Sequence, residues 1–337
     1  MASSRILVRL PNWLGDVLLA RPLLHALRRA EPEARIAAVA PAPLLELIEA
    51  EGTLDGRYTW PPDGPGRERV VRELRAFEPE VALVLPPSFS SAWLAWRTGA
   101  ARRVGYAHEG RSPLLSQALR RPARGDQHLA DEYLALGRAG CGVASPPPLP
   151  ALRLPAAAAA AGRERRAQLG LAGRAFAVIG PGARYGPAKR WPAERFAAVA
   201  QRLSDHGLAV VACGTRDEAE ACEKVARAVG GGAQSVAGVT TLPELAGLCA
   251  EARVAVCNDS GLAHLCGALG VPTVAVFGST SSAWTAPLGP VVRIVQRAPV
   301  CSPCFRPDCR IGFICLAAVT ELHVWRECEQ LLVQGAA

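Results

Sequence analysis

One loop, between a predicted strand and a predicted helix, combines positive charge with glycines in a way that could bind an anion. It covers residues 180–192, Gly-Pro-Gly-Ala-Arg-Tyr-Gly-Pro-Ala-Lys-Arg-Trp-Pro. Gly182 allows a ligand close to the backbone, and Arg184 and Lys189 add positive charge where N–H groups open a helix. Only two of the chain's 38 basic residues are lysines, which favours a compact phosphate contact at Lys189. The loop predicts a phosphate site; the alternative is a flexible connection with a surface lysine.

A second polar cluster, Asn-Asp-Ser-Gly-Leu-Ala-His at residues 258–264, also joins a strand to a helix. Asp259 or Ser260 can cap that helix, which is the structural alternative. A cap does not explain His264, about one turn into the helix, and Gly261 permits close approach of a ligand. The cluster predicts a site for a diphosphate or for sugar hydroxyls. Neither loop is a Walker A or GxGxxG motif, which disfavours P-loop and classical NAD-binding proteins.

Two carboxylates are further candidates. Glu218 follows a strand pattern, where an acidic residue often holds a ribose hydroxyl, but it can equally form a capping box with Thr215. Asp16 closes the segment Pro-Asn-Trp-Leu-Gly-Asp at residues 11–16. It lies in the first turn of a helix, where the helix dipole favours a negative charge in many proteins. The functional alternative makes Asp16 a general base.

Positive charge is concentrated between Arg97 and Arg124, where seven arginines accompany one acid, Glu109. This segment is either a solvated loop or a surface that recognises anions. The candidates for anion binding are Arg102, Arg103, Arg120 and Arg124. Nucleic acid is not expected as a partner, because aromatic residues make up only 5% of the chain and no base-stacking platform is evident.

Four cysteines, Cys301, Cys304, Cys309 and Cys315, fall within fifteen residues. Four thiolates could hold a structural zinc ion, although the spacing differs from the paired CxxC motifs of zinc ribbons. A disulfide pair and a reduced loop stay open as alternatives. The other cysteines are predicted to be small core residues, and no other cofactor is expected.

Alternating strand and helix patterns position these residues. The predicted strands are Arg5–Leu10, Ala34–Ala40, Val81–Leu85, Phe176–Ile179, Ala209–Cys213, Val254–Cys257 and Thr273–Phe277. This alternation predicts an α/β protein with doubly wound parallel sheets, and the Pro-rich segment Ser145–Pro150 marks a domain boundary. Ligands bind beyond the carboxyl ends of such strands.

The overall composition agrees with two folded domains. The chain has 337 residues, of which 50% are hydrophobic, and a net charge of +8 that permits an anionic partner without naming one. No apolar run reaches the length of a membrane-spanning helix, and the amino terminus does not resemble a signal peptide. We therefore expect a cytoplasmic protein.

Residues 181–192, 258–264 and 12–16 together resemble the lipopolysaccharide heptosyltransferases of glycosyltransferase family 9, and the resemblance covers nearly the whole chain. It implies a GT-B fold of two Rossmann-like domains that face a central cleft. Residues 1–150 would bind the acceptor and residues 151–337 would bind ADP-heptose. The last helix could pack back on the first domain.

The same resemblance implies a metal-independent, inverting transfer of L-glycero-D-manno-heptose. The segment Gly186–Pro192 is most similar to the members that act on the first heptose of the inner core. Activities of the type I or type III members, a GT-B nucleotide-sugar epimerase and an ADP-sugar binding protein are the alternatives. An epimerase would act on ADP-heptose without an acceptor.

The resemblance also implies roles for individual residues. Asp16 corresponds to the family's catalytic base. The residues that correspond to donor contacts are Gly182, Arg184, Lys189, Glu218, Asp259, Ser260, Gly261 and His264. The four candidate arginines would meet the Kdo and phosphate groups of a heptose-bearing lipid A acceptor, at the cytoplasmic face of the inner membrane. Where the family often has Thr or Ser before the lysine, this chain has Arg184 and Tyr185.

Overall fold

The computed structural model describes residues 4–62 and 64–334. The chain divides into two compact units, Met1–Leu149 and Pro150–Ala337, at the end of the Pro-rich segment. The outermost residues of the two predicted domains, 1–3 and 335–337, lie outside the described part. Each unit is built around one parallel six-stranded sheet.

The first unit alternates strands and helices along its whole length. Its strands are β1 Arg5–Arg9, β2 Arg35–Ala40, β3 Gly56–Thr59, β4 Val81–Val84, β5 Arg102–Tyr106 and β6 Gln117–Leu119. Its helices are α1 Leu14–Ala30, α2 Ala42–Leu47, α3 Gly64–Ala76, α4 Phe89–Arg97 and α5 Leu129–Cys141. All strand pairs are parallel in the order β3-β2-β1-β4-β5-β6. Because the middle of β1 and the whole of β4 are apolar and buried, helices must cover both faces of the sheet.

The second unit repeats this plan. Its strands are β7 Phe176–Gly180, β8 Ala209–Ala212, β9 Gln234–Ser235, β10 Val254–Asn258, β11 Thr273–Phe277 and β12 Val292–Gln296. Its helices are α6 Ala156–Gln168, α7 Ala193–Asp205, α8 Ala219–Val229, α9 Leu242–Cys249, α10 Gly261–Ala268, α11 Ser282–Thr285, α12 Ile314–Ala317 and α13 Glu321–Gln334. The strand order is β12-β11-β10-β7-β8-β9. Two apolar clusters cover the two faces of this sheet, so the predicted α/β fold of doubly wound domains is confirmed.

The last helix, α13, packs on the sheet of its own unit. Its side chains Val324, Trp325, Cys328 and Leu331 are buried in the cluster that includes α7 and the strands β10 and β11. The apolar face of α13 is thus used inside the second unit.

Most of the scattered cysteines are core residues, as predicted. Cys213, Cys222, Cys249, Cys257, Cys266 and Cys328 are buried. Cys141 is partly exposed. Burial raises the pKa of the Cys222 and Cys328 thiols to about 12, which suits small apolar side chains better than reactive ones.

Candidate functional site

Both polar loops of the second unit lie where the strand order of its sheet reverses. β8 lies on one side of β7 and β10 on the other, so the loops that follow β7 and β10 leave the sheet in different directions. A crevice at this point is the usual ligand site of open parallel sheets. The buried side chain of Asn258 joins the two loops: its Oδ1 accepts from the Trp191 N–H at 2.9 Å, and its Nδ2 donates to the Pro181 carbonyl at 2.7 Å.

Lys189 lies at the centre of this site. Its Nζ is 2.6 Å from Oδ2 of Asp259, and the two side chains are 14% and 3% exposed. The Thr280 hydroxyl donates to the same carboxylate oxygen at 2.5 Å. On the other side, the Lys189 ammonium is 5.0 Å from the ring centroid of Tyr185. An ammonium has three donors, so the ion pair directs Lys189 without exhausting its capacity to bind an anion.

The end of the lysine loop is anchored in the core. Trp191 is fully buried, and its indole N–H donates to the Val319 carbonyl at 2.8 Å. Its ring meets that of Phe196 edge-on, with the centroids 4.9 Å apart. The Arg190 Nε donates to the Ala183 carbonyl at 3.1 Å, which closes the loop on itself. Lys189 therefore extends from a segment fixed at both ends, and Arg184 lies on its exposed outer turn.

Glu218 has the capping role, one of the two roles that the sequence left open. It forms the capping box with Thr215, whose N–H and hydroxyl donate to Glu218 Oε2 at 2.7 and 3.0 Å. The same carboxylate lies directly over Gly182, where a Cβ would overlap Glu218 Oε1. The cap therefore holds a carboxylate beside the loop of Lys189, and a side chain at position 182 would displace that carboxylate.

The loop after β10 uses its polar residues differently from the capping alternative. Asp259 is committed to Lys189 and Thr280. Ser260 is the N-cap residue of α10, and in the part of the chain that the structure describes no side-chain cap bond is formed there. α10 begins at Gly261, and His264 is buried on its first turn. The start of α10 thus lies beside Lys189, where N–H groups and a cation would together suit an anion.

Thr280 and Ser279 are residues of this site that the sequence interpretation missed. They follow β11, which pairs with β10, so they reach the same edge of the sheet. The signal was present in Gly-Ser-Thr-Ser-Ser at residues 278–282, a run of hydroxyl side chains directly after an apolar strand.

The cysteine segment packs against the lysine loop. The Tyr185 hydroxyl donates to the Phe305 carbonyl at 2.5 Å, and the Ala188 N–H donates to the Pro307 carbonyl at 3.0 Å. Cys301 and Cys304 are exposed, Cys309 is partly exposed and Cys315 is buried. Within residues 4–62 and 64–334, no three His, Cys, Asp or Glu side chains are grouped so that they could hold a metal ion. The expectation of zinc gains no support from this arrangement.

In the first unit, Asp16 lies in the first turn of α1, directly after the central strand β1. The strand order of this sheet reverses between β1 and β4, so Asp16 also follows a switch point. Burial raises the pKa of Tyr133 well above its usual value, and the charge of Asp16 is the next largest cause. The carboxylate of Asp16 therefore lies within electrostatic reach of this tyrosine on α5.

Arg120 and Arg124 line a pocket of about 490 Å³ together with Arg121 and His108. These residues follow the carboxyl ends of β5 and β6, the edge of the sheet at which Asp16 follows β1. Arg121 forms an ion pair with Glu132, with the Arg121 Nε 2.8 Å from Oε2. The charges of Asp16 and Arg121 both influence the pKa of Tyr133, so the pocket and Asp16 share a neighbour.

The structure does not bring Arg102 and Arg103 to this pocket with Arg120 and Arg124. They begin β5 and therefore lie at its amino end, whereas the pocket lies beyond its carboxyl end. Arg103 Nε donates to the Leu114 carbonyl at 2.8 Å, and Arg102 Nη2 donates to the Ala139 carbonyl at 3.2 Å. Their guanidinium groups hold neighbouring backbone in place.

The sequence profile of glycosyltransferase family 9 (heptosyltransferase) matches residues 67–314. The chain belongs to glycosyltransferase family 9. The matched range contains every donor-side residue discussed above, from Gly182 to His264. Asp16 precedes it, but full-length relatives of the family cover that part of the chain.

Lipopolysaccharide heptosyltransferase 2 of Escherichia coli K12 is 30% identical to this chain. The alignment is 349 residues long and covers 99% of this chain and 100% of that protein. Lipooligosaccharide heptosyltransferase 2 of Haemophilus ducreyi is 30% identical over 309 residues, 87% of this chain and 88% of that protein. The solved structure of E. coli ADP-heptose LPS heptosyltransferase II is similar with a TM-score of 0.83 at 28% identity, covering 99% of this chain and all of that one. The family 9 structure from Veillonella parvula gives a TM-score of 0.85 at 25% identity, covering 98% of this chain and 97% of that one.

These similarities confirm the GT-B fold and a glycosyltransferase activity for this family 9 member. None of the helices in the described residues is both long and apolar enough to pass through a bilayer.

Proposed function

We propose that this glycosyltransferase moves L-glycero-D-manno-heptose from ADP-heptose onto the first heptose of the lipopolysaccharide inner core, with inversion at the anomeric carbon. The observation that carries the proposal is the site around Lys189 and Asp259, in a chain similar over its full length to heptosyltransferase 2 of E. coli. The reaction needs a site for a diphosphate leaving group, a base for the acceptor hydroxyl, and a surface for an anionic acceptor.

The second unit supplies the site for the leaving group. As the bond between the heptose and ADP breaks, negative charge develops on the diphosphate. The Lys189 ammonium and the N–H groups at the start of α10 stabilise that charge, and removal of one such donor typically costs roughly 3–4 kcal/mol in the transition state. Glu218 lies over Gly182, at the side of the lysine loop, where its carboxylate would accept from the ribose hydroxyls. These residues perform the role without a metal ion.

The first unit supplies the base. Asp16 accepts the proton of the acceptor hydroxyl while the oxygen attacks the anomeric carbon from the face opposite ADP. A base must reach within about 3 Å of the oxygen in the productive complex. A single carboxylate suffices, because inversion involves one displacement and no covalent intermediate on the enzyme.

The arginine pocket supplies the surface for the acceptor. Arg120, Arg121 and Arg124 bring three guanidinium groups to a pocket of about 490 Å³, and His108 lines its wall. Guanidinium groups bind carboxylates and phosphates through paired hydrogen bonds. The Kdo carboxylates and the phosphates of a heptose-bearing lipid A are ligands of this kind.

The test is transfer from ADP-heptose by the purified protein to acceptors with no, one or two heptoses, with and without EDTA. We expect transfer to the acceptor with one heptose and no effect of EDTA. Asp16→Asn should lower kcat by at least ~10²-fold, the usual contribution of a general base, while ADP binding is unchanged.

Glu321→Gln is the matched control, because Glu321 is another first-turn carboxylate, on α13. Its kcat should equal that of the unaltered protein. Turnover that persists in Asp16→Asn would exclude Asp16 as the base, and a preference for another acceptor would replace the proposed substrate. Conversion of ADP-heptose to an isomer without acceptor would indicate an epimerase.

A further inference from the structure

The helix α4 carries three large aromatic side chains on its outer face. Phe89, Trp93 and Trp96 are 47%, 44% and 47% exposed. Their spacing places them on one side of a helix, and their rings stack with centroids 6.5 Å apart for Phe89–Trp93 and 5.0 Å apart for Trp93–Trp96. The opposite side of α4 is already buried in the core. These aromatic side chains therefore form a contiguous exposed apolar patch that the fold itself does not need.

Positive charge gathers at the carboxyl end of this aromatic patch. Arg97 follows Trp96 and forms two hydrogen bonds to Glu68 of α3, at 2.5 and 2.7 Å. The bond from Arg97 lowers the pKa of Glu68, and the nearby charges of Arg72 and Arg75 lower it further. The Arg75 Nε also donates to the Arg97 carbonyl at 2.5 Å, and the side chains of Arg72 and Arg75 are exposed.

The amino end of the aromatic patch adjoins the arginine pocket. The Phe89 N–H donates to Glu109 Oε2 at 3.1 Å. The residue before Glu109, His108, lines the pocket proposed for the acceptor. The patch therefore leads from the edge of that pocket to the cluster of arginines on α3.

We propose that this face of α4, with Arg72 and Arg75 of α3, rests on the headgroup region of an anionic lipid bilayer. Tryptophan is favoured at that depth, because the ring is apolar and the indole N–H stays in contact with water and headgroups. Arginines beside it pair with lipid phosphates and are attracted to a negative surface. A second copy of this chain would bring the same positive cluster to the contact, whereas lipid headgroups supply the opposite charge.

Only the purpose of this membrane contact rests on the proposed function: the contact would hold the arginine pocket at the surface that presents a lipid-linked acceptor. It can be measured without any substrate. The probe is a suspension of vesicles made from phosphatidylethanolamine and phosphatidylglycerol, with phosphatidylcholine vesicles for comparison, and the readout is the fraction of protein that sediments with lipid.

We expect the unaltered protein to sediment with the anionic vesicles. Trp93→Ser with Trp96→Ser should weaken this partition at least ~10-fold, because interfacial binding scales with buried apolar area. Arg72→Gln with Arg75→Gln should weaken binding to the anionic vesicles and remove most of its dependence on salt. Val300→Ser, an exposed apolar residue of the second unit, is the matched control and should bind normally.

Circular dichroism shows whether the variant that lacks both tryptophans is folded, and heptose transfer to a deacylated, water-soluble acceptor shows whether it is active. We expect it to be both folded and active. The inference is overturned if the unaltered protein does not bind the anionic vesicles, or if the folded tryptophan variant binds equally well. It is also overturned if the unaltered protein is a dimer and the variant a monomer. Absence of heptose transfer with normal vesicle binding would instead contradict the proposed function alone.

Discussion

Lys189 is positioned before any ligand arrives. Its ammonium is held by Asp259, which is in turn held by the Thr280 hydroxyl, and it lies over the ring of Tyr185. A lysine that must be immobilised when a phosphate binds loses about 2 kcal/mol of side-chain entropy. Because the fold already immobilises Lys189, less side-chain entropy is lost when the diphosphate binds. More of the interaction with the leaving group can therefore stabilise the transition state.

Replacement of this side chain gives the prediction at the scale of one residue. Lys189→Ala should weaken ADP binding and lower kcat/KM for ADP-heptose by roughly 10²–10³-fold, the usual effect of one preorganised donor to a developing anion. Lys189→Arg should recover only part of the loss, since a longer, planar guanidinium does not place its charge at the position of the compact ammonium. Titration calorimetry with ADP and steady-state kinetics measure both effects.

The chain contains one other lysine, Lys224, whose exposed side chain pairs with Glu194. Lys224→Ala is therefore the control for a lost lysine, and it should leave ADP binding and kcat/KM unchanged. Unchanged ADP binding in Lys189→Ala would show that the diphosphate lies elsewhere.

Single site residues could be identified from the sequence where the residues around them form a distinctive motif. Lys189 and Asp259 were identified because each lies in a distinctive loop after a strand. Their ion pair was not foreseen, because it joins loops 70 positions apart that meet only through the order of strands. Arg102 and Arg103 were grouped with Arg120 by their proximity in sequence, but a strand separates them, and its two ends lie on opposite edges of the sheet.

At the scale of elements, the cysteine segment braces the lysine loop. Gly186 makes this contact possible, because it has a φ of +150° and a Cβ there would overlap the Pro307 carbonyl oxygen. The central strands of both sheets were predictable from their apolar runs, whereas the strands toward the sheet edges, β3, β5, β6, β9 and β12, were not predicted. This brace was not, because a segment rich in Gly, Pro and Cys has no periodicity from which packing partners can be inferred.

Gly186→Ala should separate the two segments and displace Lys189. We expect ADP to bind about 10-fold more weakly and the second unit to lose about 1–3 kcal/mol of stability, from the strained φ and the lost contact. ADP titration and urea unfolding measure the two quantities. Gly170→Ala is the control, since Gly170 also has a positive φ, +66°, but nothing lies within 4 Å of its Cβ position. It should lose stability without losing affinity for ADP, and equal losses of affinity in both variants would rule out the brace.

At the scale of the whole molecule, the two units have separate cores, which lie on separate sheets. We therefore expect unfolding to deviate from a single two-state transition, with each unit responding to conditions through its own interactions. The boundary between them could be predicted because the composition changes at the Pro-rich segment. The relative stability of the two units could not be predicted, because it depends on buried ion pairs between residues that are far apart in the sequence.

One such pair makes the first unit sensitive to acid. Glu51 accepts two hydrogen bonds from Arg21 of α1, at 2.7 and 2.6 Å, and lies 3.1 Å from His25 Nε2. Burial raises the pKa of Glu51, but the bonds from Arg21 and His25 outweigh it and bring the pKa down to about 2, from an ordinary 4.5. A lowered pKa stabilises the fold above the unfolded-state value, and that stabilisation is lost as the pH falls through the folded-state value.

The first unit should therefore lose about 2–3 kcal/mol of its free energy of unfolding between about pH 5 and pH 2 because of this one group. Glu51→Gln should remove that part of the pH dependence and destabilise the unit by about 3 kcal/mol at neutral pH, since it breaks the buried ion pair with Arg21 by removing one partner. Urea unfolding followed across this pH range measures both. Glu49→Gln is the control, because Glu49 makes an exposed pair with Arg57, and such pairs contribute about 1 kcal/mol or less. If Glu51→Gln kept the full acid sensitivity of the unaltered protein, the Arg21–Glu51 pair would not be the acid-sensitive element of the first unit.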